Sequence, residues 1–291
     1  MVAAKTLAIY VDSFDRLLSW WRALSATPSC LMELDEALCR RIEGLWAEGD
    51  GIAAVGNLLS SVSFFLPFSH GWTRRAWKLH KTWRRAEPTT RCAPMTPLIA
   101  LGFAGACLAL GRADAAALIL VGFDGMLRSQ SIFGLRRSHI SFYQNRAVVR
   151  LVATKTTARR GGSELIVIQA RAAVGLLRRA ARGLAGERLI LRRGPADFRR
   201  LFAGLIEAFG LQGFNLAVYS LRRGGASFDF LQHNSMERTL LRGHWQSTSA
   251  ARVYVQDAVV EITSLQLTSA QRRNLQAAAA WVPCGLSARA R

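Results

Sequence analysis

Between Ile140 and Ile168 the spacing of apolar residues changes from a helical period to alternation, and that break limits what the chain can fold into. The stretch is rich in Val, Ile and Thr: S-F-Y-Q-N-R-A-V-V-R-L-V-A-T-K-T, a turn through Arg159–Gly162, then E-L-I-V-I. A two-residue period sends alternate side chains to opposite faces, which suits half-buried strands. Gly161 and Gly162 supply a hairpin turn. Elsewhere apolar residues recur at helical spacing, so the expected fold class is mainly α with a small antiparallel β-sheet (α+β).

The helical parts fall into blocks. Leu7–Leu24, Leu34–Trp46, Ile52–Phe65 and Thr73–Arg85 each read as a helix, with Gly49–Gly51 and Pro67 as breaks. Three prolines in E-P-T-T-R-C-A-P-M-T-P mark residues 87–97 as a linker. Residues 1–86 then form one helical domain, 98–268 a second domain and 269–291 a C-terminal helical tail. Leu98–Phe123 is the most membrane-like stretch, but G-R-A-D at 111–114 interrupts it. Each half is shorter than the roughly 20 apolar residues of a spanning helix, so two buried helices are expected, and no membrane partner. The apolar run before Asp12 is too short for a signal peptide.

Composition names the kind of partner. The chain has 291 residues, 51% of them hydrophobic, with a net charge of +20 and a pI near 11.3. A core is available to it, and the charge favours a polyanion, nucleic acid first and an acidic membrane surface second. On the helix Thr73–Arg85, Ala76, Leu79 and Trp83 share one face while Arg74, Arg75, Lys78, Lys81, Arg84 and Arg85 occupy the rest. Such a helix is either a solvated face or a phosphate-binding one. Cys30, Cys39, Cys92, Cys107 and Cys284 are odd in number and scattered, which points to free thiols in a reducing compartment.

The chemistry concentrates late in the chain. Residues 219–227 read Y-S-L-R-R-G-G-A-S, 240–245 read L-L-R-G-H-W, and 250–254 read A-A-R-V-Y. A guanidinium matches phosphate geometry and keeps its charge near neutral pH, and a phenol can form a covalent intermediate. Ser220 is placed to cap a helix starting at Leu221, with Arg222 in its first turn. Earlier, D-G-M-L-R-S-Q-S-I-F-G-L-R-R-S-H-I spans 124–140, and Lys155 lies in A-T-K-T. Taken singly, Arg128 is a surface charge, Lys155 a strand-edge solubility device, and Tyr254 a core residue with a tethered hydroxyl.

In this order the segments resemble boxes I and II of the tyrosine recombinases, the phage-integrase-like strand-exchange enzymes. Box II there reads H-x-L-R-[HR]-[ST]-x-A-[ST], followed by G-[HW] and Y. The resemblance covers roughly residues 95–260, and residues 1–86 suit the family's core-binding domain by architecture. It implies that Arg128 and Arg222 are the catalytic arginines and that Lys155 protonates a leaving 5′-oxygen. Tyr219 takes the place of the usual His, and Tyr254 is the nucleophile. Trp245, nine residues before Tyr254, donates to the phosphate, with His244 as the alternative. Arg74, Arg75, Lys78, Lys81 and Arg223 are the expected DNA contacts.

Departures are Ser131 for the box I glutamate, Arg137–Ser138–His139 for its W-x-D tail, and Tyr219 for His. The implied activity is site-specific cleavage and rejoining of double-stranded DNA through a 3′-phosphotyrosine. The implied assembly is a homotetramer on paired sites, and the implied location is inside the cell with DNA. No cofactor, metal or small-molecule substrate is expected: bond energy stays in the phosphotyrosine, and no P-loop or metal-spaced cluster is present. An inactive DNA-binding relic of a mobile element, a type IB topoisomerase-like enzyme and a plain basic nucleic-acid-binding helical protein stay open as alternatives.

Overall fold

The computed structural model describes residues 2–24, 27–87, 91–151 and 163–283. The chain divides into two compact units, Met1–Thr90 and Arg91–Arg291. The first is helical: α1 (Ala4–Ala23), α2 (Leu31–Ala47), α3 (Ile52–Phe65) and α4 (Arg74–Ala86). Leu17, Leu38, Ile42, Leu59 and Trp83 form its core. Thr73 does not cap α4. Instead Asp35 of α2 accepts the amide protons of Arg75 and Ala76, both at 3.0 Å, so a neighbouring helix fixes where α4 begins. The α4 surface has the expected division, with Ala76 and Trp83 buried and all six cations exposed.

The second unit takes in the chain from Arg91. Met95 is fully buried there, and Thr96 caps α5 (Pro97–Ala109) by accepting from Ile99 at 3.3 Å. Pro97 costs nothing at the first helical position, where the amide has no helical acceptor. Helices α5 and α6 (Ala113–Asp124) are the expected buried pair, and no helix among the described residues is long and apolar enough to cross a membrane.

A short α7 (Ser129–Phe133) leads into β1 (Ile140–Phe142), β2 (Ala147–Leu151) and β3 (Glu164–Ile168), an antiparallel sheet in the order β1-β2-β3. Val149 pairs with Ile140 on one side and Ile166 on the other, all three buried. The expected class, mainly α with one small antiparallel sheet, is the class observed. Lys155 and the hairpin turn at Gly161–Gly162 lie outside the described residues, as does Cys284. The other four cysteines are free, Cys39 and Cys107 being buried.

Helices α8 (Arg171–Ala181), α9 (Gly194–Ala208), α10 (Ser220–His233), α11 (Met236–Arg242), α12 (Thr248–Arg252), α13 (Asp257–Gln266) and α14 (Ser269–Ala279) complete the unit. Helix α14 packs on α5 of the same chain, so closely that a Cβ at Gly105 would lie 1.8 Å from the Ala278 carbonyl oxygen. On α13 the stripe Val259, Ile262, Leu265 faces outward, Ile262 and Leu265 being 50% and 79% exposed, while Val260 and Thr263 are buried. Val260 and Thr263, rather than this apolar stripe, are the residues packed on the unit.

Candidate functional site

Helix α10 carries the site and starts one residue earlier than expected. Ser220 is its first residue, not its cap, and its hydroxyl accepts the Ala217 amide at 3.0 Å, which occupies it in the preceding turn. Gly224 and Gly225 let α10 lie directly on neighbouring backbone. Added Cβ atoms would fall 2.0 Å from the Met95 oxygen and 1.9 Å from the Phe123 oxygen. Two adjacent glycines inside a helix each cost about 1 kcal/mol relative to alanine, a signal of close approach that motif reading passes over. Arg222 is only 2% exposed as a result.

Neutral groups hold the Arg222 guanidinium. It donates to the carbonyl oxygen of Met126 and, at 3.0 Å, to that of Gly243. It also lies over the Trp245 ring at 4.5 Å and the Tyr254 ring at 5.1 Å, within cation–π range. Met126 (φ 49°) and His244 (φ 52°) both take left-handed backbone, rare outside glycine and asparagine. Met126 carries one acceptor carbonyl and His244 directly follows the other. Burial and the nearby Arg128 charge push the Arg222 pKa down to about 10, so it remains cationic at neutral pH.

The G-H-W turn sets Trp245, rather than His244, in the cluster. The Trp245 indole covers Gly243, where a Cβ would lie 1.8 Å from the ring, and meets the Tyr254 ring at 4.9 Å. Ser247 caps α12 through the Ala250 amide, and the chain then delivers Tyr254 to α10. There the Ser227 hydroxyl donates to the Tyr254 carbonyl at 3.2 Å and accepts the Gln256 amide at 2.8 Å. Met126, Ala226, Trp245 and Ala251 form a small apolar cluster beneath the tyrosine. Two N–H donors beside the tyrosine, Arg222 Nε and Trp245 Nε1, are buried without a hydrogen-bond partner among the described residues.

Tyr219 and Tyr254 share one hydrogen bond, hydroxyl to hydroxyl, at 2.6 Å. Burial and the bond to Tyr254 push Tyr219 up to about 12. Burial also acts to raise Tyr254, but the bond from Tyr219 and the charges of Arg222 and Arg128 outweigh it and hold Tyr254 below the ordinary phenol value. Either hydroxyl can donate while both are neutral; once Tyr254 is ionised, Tyr219 is the donor and the Tyr254 phenolate the acceptor. Tyr219, which stands where the resemblance has His, thus has the Tyr254 hydroxyl as its partner.

Arg128, half-exposed ahead of α7, is near enough for its charge to act on Tyr219, Arg222 and Tyr254. Arg223 is 2% exposed, and burial lowers its pKa from the ordinary guanidinium value. Arg74, Arg75, Lys78 and Lys81 lie in the first unit, outside this cluster.

A second polar layer escaped the sequence reading. Asp229, 3% exposed, accepts from Arg242 at 2.5 Å and from Thr239 at 3.0 Å. Arg242 also donates to the Asp124 carbonyl at 2.9 Å, and the Asp124 carboxylate accepts the Gln169 amide at 2.7 Å. Arg242 immediately precedes Gly243, and Asp124 lies two residues before Met126. The layer thus ties together the two backbone turns whose carbonyls hold Arg222.

No family model and no curated protein matches the sequence. Among solved structures, XerH site-specific recombinase bound to difH substrate aligns over 90% of this chain and 79% of its own, at 14% identity and TM-score 0.60. A lambda integrase dimer bound to a COC′ core site aligns over 88% and 90%, at 19% identity and TM-score 0.60. The Tn1549 transposon integrase in complex with transposon right end DNA aligns over 91% and 94%, at 12% identity and TM-score 0.57. At these identities the likeness is one of fold: this chain has the fold of the tyrosine recombinases.

Proposed function

We propose that this protein cleaves and rejoins double-stranded DNA as a site-specific tyrosine recombinase, with Tyr254 as the nucleophile. The observation that carries the reading is the meeting of Arg222, Trp245, Tyr254 and Tyr219 in one cluster, within the field of Arg128. Buried N–H donors without partners are uncommon in folded proteins, and Arg222 Nε and Trp245 Nε1 are two of them beside one phenol. A phosphate oxygen is the acceptor that suits both.

In this reading Tyr254 loses its proton to solvent and its oxygen attacks phosphorus. The bond from phosphorus to the 5′-oxygen breaks, leaving a 3′-phosphotyrosine and a 5′-hydroxyl that takes its proton from Lys155. A 5′-hydroxyl of a second strand reverses the step. Arg128 and Arg222 stabilise the charge that builds on the non-bridging oxygens, the main demand of phosphoryl transfer. Tyr219 keeps its proton and stabilises the Tyr254 phenolate by its hydrogen bond. Assembly as four protomers on paired sites belongs to the same proposal. The exposed Ile262 and Leu265 support it as a surface for a second copy.

A nicked duplex that traps the covalent adduct tests the chemistry. Wild-type protein should form a DNA adduct and Tyr254→Phe none, with duplex binding nearly unchanged. An adduct that survives the substitution and maps to another tyrosine would falsify the assignment. Absence of any adduct from the wild type, with binding intact, would favour an inactive DNA-binding protein.

A further inference from the structure

The end of α3 and the start of α4 expose a group of large aromatic side chains that the strand-cleavage reading does not use. Phe64, Phe68, Trp72 and Trp77 are 42%, 65%, 62% and 40% exposed. Beside Phe64 and Trp77 lies a cleft of about 600 Å³, lined by these two rings and Tyr10 with the polar side chains of Ser60, His70 and Thr73. The Tyr10 and Phe64 rings meet at 5.7 Å on one wall. Its volume is that of a small-ligand site, ample for a single purine or pyrimidine ring.

Charge narrows the occupant. Trp77 shares a helix face with Arg74 one turn before and Lys81 one turn after, the three- and four-residue spacings that make neighbours on a helix. Arg74 donates to the Gly71 carbonyl at 2.9 Å, which ties the Trp72 loop to the basic helix. Among the described residues no acidic side chain lines the cleft, and α4 contains none. A backbone of phosphates drawn to α4 would therefore bring nucleobases within reach of the rings. Paired bases inside a duplex are already stacked on one another, so a ring on the protein surface can stack only on a base that has left the helix. Exposed rings interleaved with cations are the usual means of holding such bases.

We propose that this cleft binds an unpaired nucleobase of DNA, stacked between Trp77 and Phe64 while α4 holds the flanking phosphates. The proposal goes beyond the strand-cleavage reading, and its readout is affinity, so failure of the Tyr254 chemistry leaves it standing or falling alone.

The test uses the full chain with a fully paired duplex and the same duplex carrying one extrahelical 2-aminopurine. The bulged duplex should bind roughly five- to a hundredfold more tightly, the scale of one stacked base. The 2-aminopurine emission should be quenched on binding. Trp77→Ala should abolish both the preference and the quenching, leaving affinity for paired DNA within about twofold; Phe64→Ala, the other wall of the stack, serves as a second variant. In wild-type protein, a 5-bromouracil placed in the bulge should photocrosslink to the peptides holding Phe64 or Trp77. Equal binding of the two duplexes, a preference that survives both substitutions, or a crosslink elsewhere overturns the proposal. Self-association abolished by Trp77→Ala, without any preference for the bulge, would assign the cleft to a second copy instead.

Discussion

Residues 1–90 hold eleven Lys or Arg against nine Asp or Glu, whereas residues 91–291 hold 28 against 10, nets of +2 and +18. The first unit concentrates cations on one helix and leaves them in water. The second also buries some, and it does so in two ways. Arg112 is paired with Asp114 and Asp197, and Arg242 with Asp229 and Asp124, so their charges are spent internally. Arg222 is held by carbonyls and rings, with no carboxylate partner among the described residues. A buried guanidinium compensated by neutral groups keeps its field for a ligand. Exposed charge of the α4 kind instead sets affinity and salt dependence.

That contrast is most exposed to failure at Arg222. Arg222→Ala, and Arg128→Ala with it, should each raise the barrier to adduct formation by at least about 2.7–4 kcal/mol, the scale for losing one oxyanion-type donor. Single-turnover rates on the nicked duplex measure it. Rates within tenfold of wild type would reduce both residues to ordinary surface or structural charges.

The paired arginines should behave differently. Arg242→Ala strands the nearly buried Asp229 carboxylate, and removing one partner of a buried pair costs about 3–5 kcal/mol. Thr239 and Arg238 remain close to Asp229, so the lower end is expected, read by urea unfolding. Burial would raise the Asp229 pKa, but Arg242 and Thr239 outweigh it and lower it in the fold. The pair's stabilisation is therefore full above the unfolded carboxylate value near 3.9 and is lost as pH falls through the folded value. A variant as stable as wild type at pH 7 would show that this layer carries little weight.

What could be read from the sequence follows from how far apart the partners lie. Arg222, Trp245 and Tyr254 sit within 33 residues on consecutive short elements, so spacing alone brings them close to one another. The Asp229–Arg242–Asp124 layer joins positions up to 118 apart, and nothing in local pattern distinguishes these from solvated charges. The α13 stripe shows the same limit from another side. Periodicity finds an apolar face, but Val259, Ile262 and Leu265 compete with Val260 and Thr263, and only packing decides which faces inward. Ser220 has the right chemistry for a cap, yet the preceding turn takes its hydroxyl first.

Tyr219 sharpens the comparison within the site. Its bond lowers the Tyr254 pKa, so adduct formation should rise with pH at lower values than for a free phenol and level off above the Tyr254 pKa. Tyr219→Phe removes that contribution, moving the rise to higher pH. A hydrogen bond to a charged group is worth about 1.5–3 kcal/mol, which bounds the loss of rate on the rising limb. An unchanged profile would mean that Tyr219 acts elsewhere, and a phosphate oxygen is then the candidate.

The smallest effect belongs to the exposed helix. Each α4 cation that meets a phosphate releases counterions on binding, so the logarithm of affinity falls with that of salt by about 0.9 per contact. Lys81→Gln should therefore flatten the slope for paired duplex by about 0.9, while the rate of adduct formation at saturating DNA stays as in wild type. Replacing Arg74, Arg75, Lys78 and Lys81 together should flatten it further, by up to about four times as much. These side chains are exposed, so stability should barely move. Equilibrium binding over a range of salt concentrations reads the slope directly. An unchanged slope in the quadruple variant would mean that α4 is only a solvated face, and that the net of +18 in residues 91–291 carries the electrostatics of binding without it.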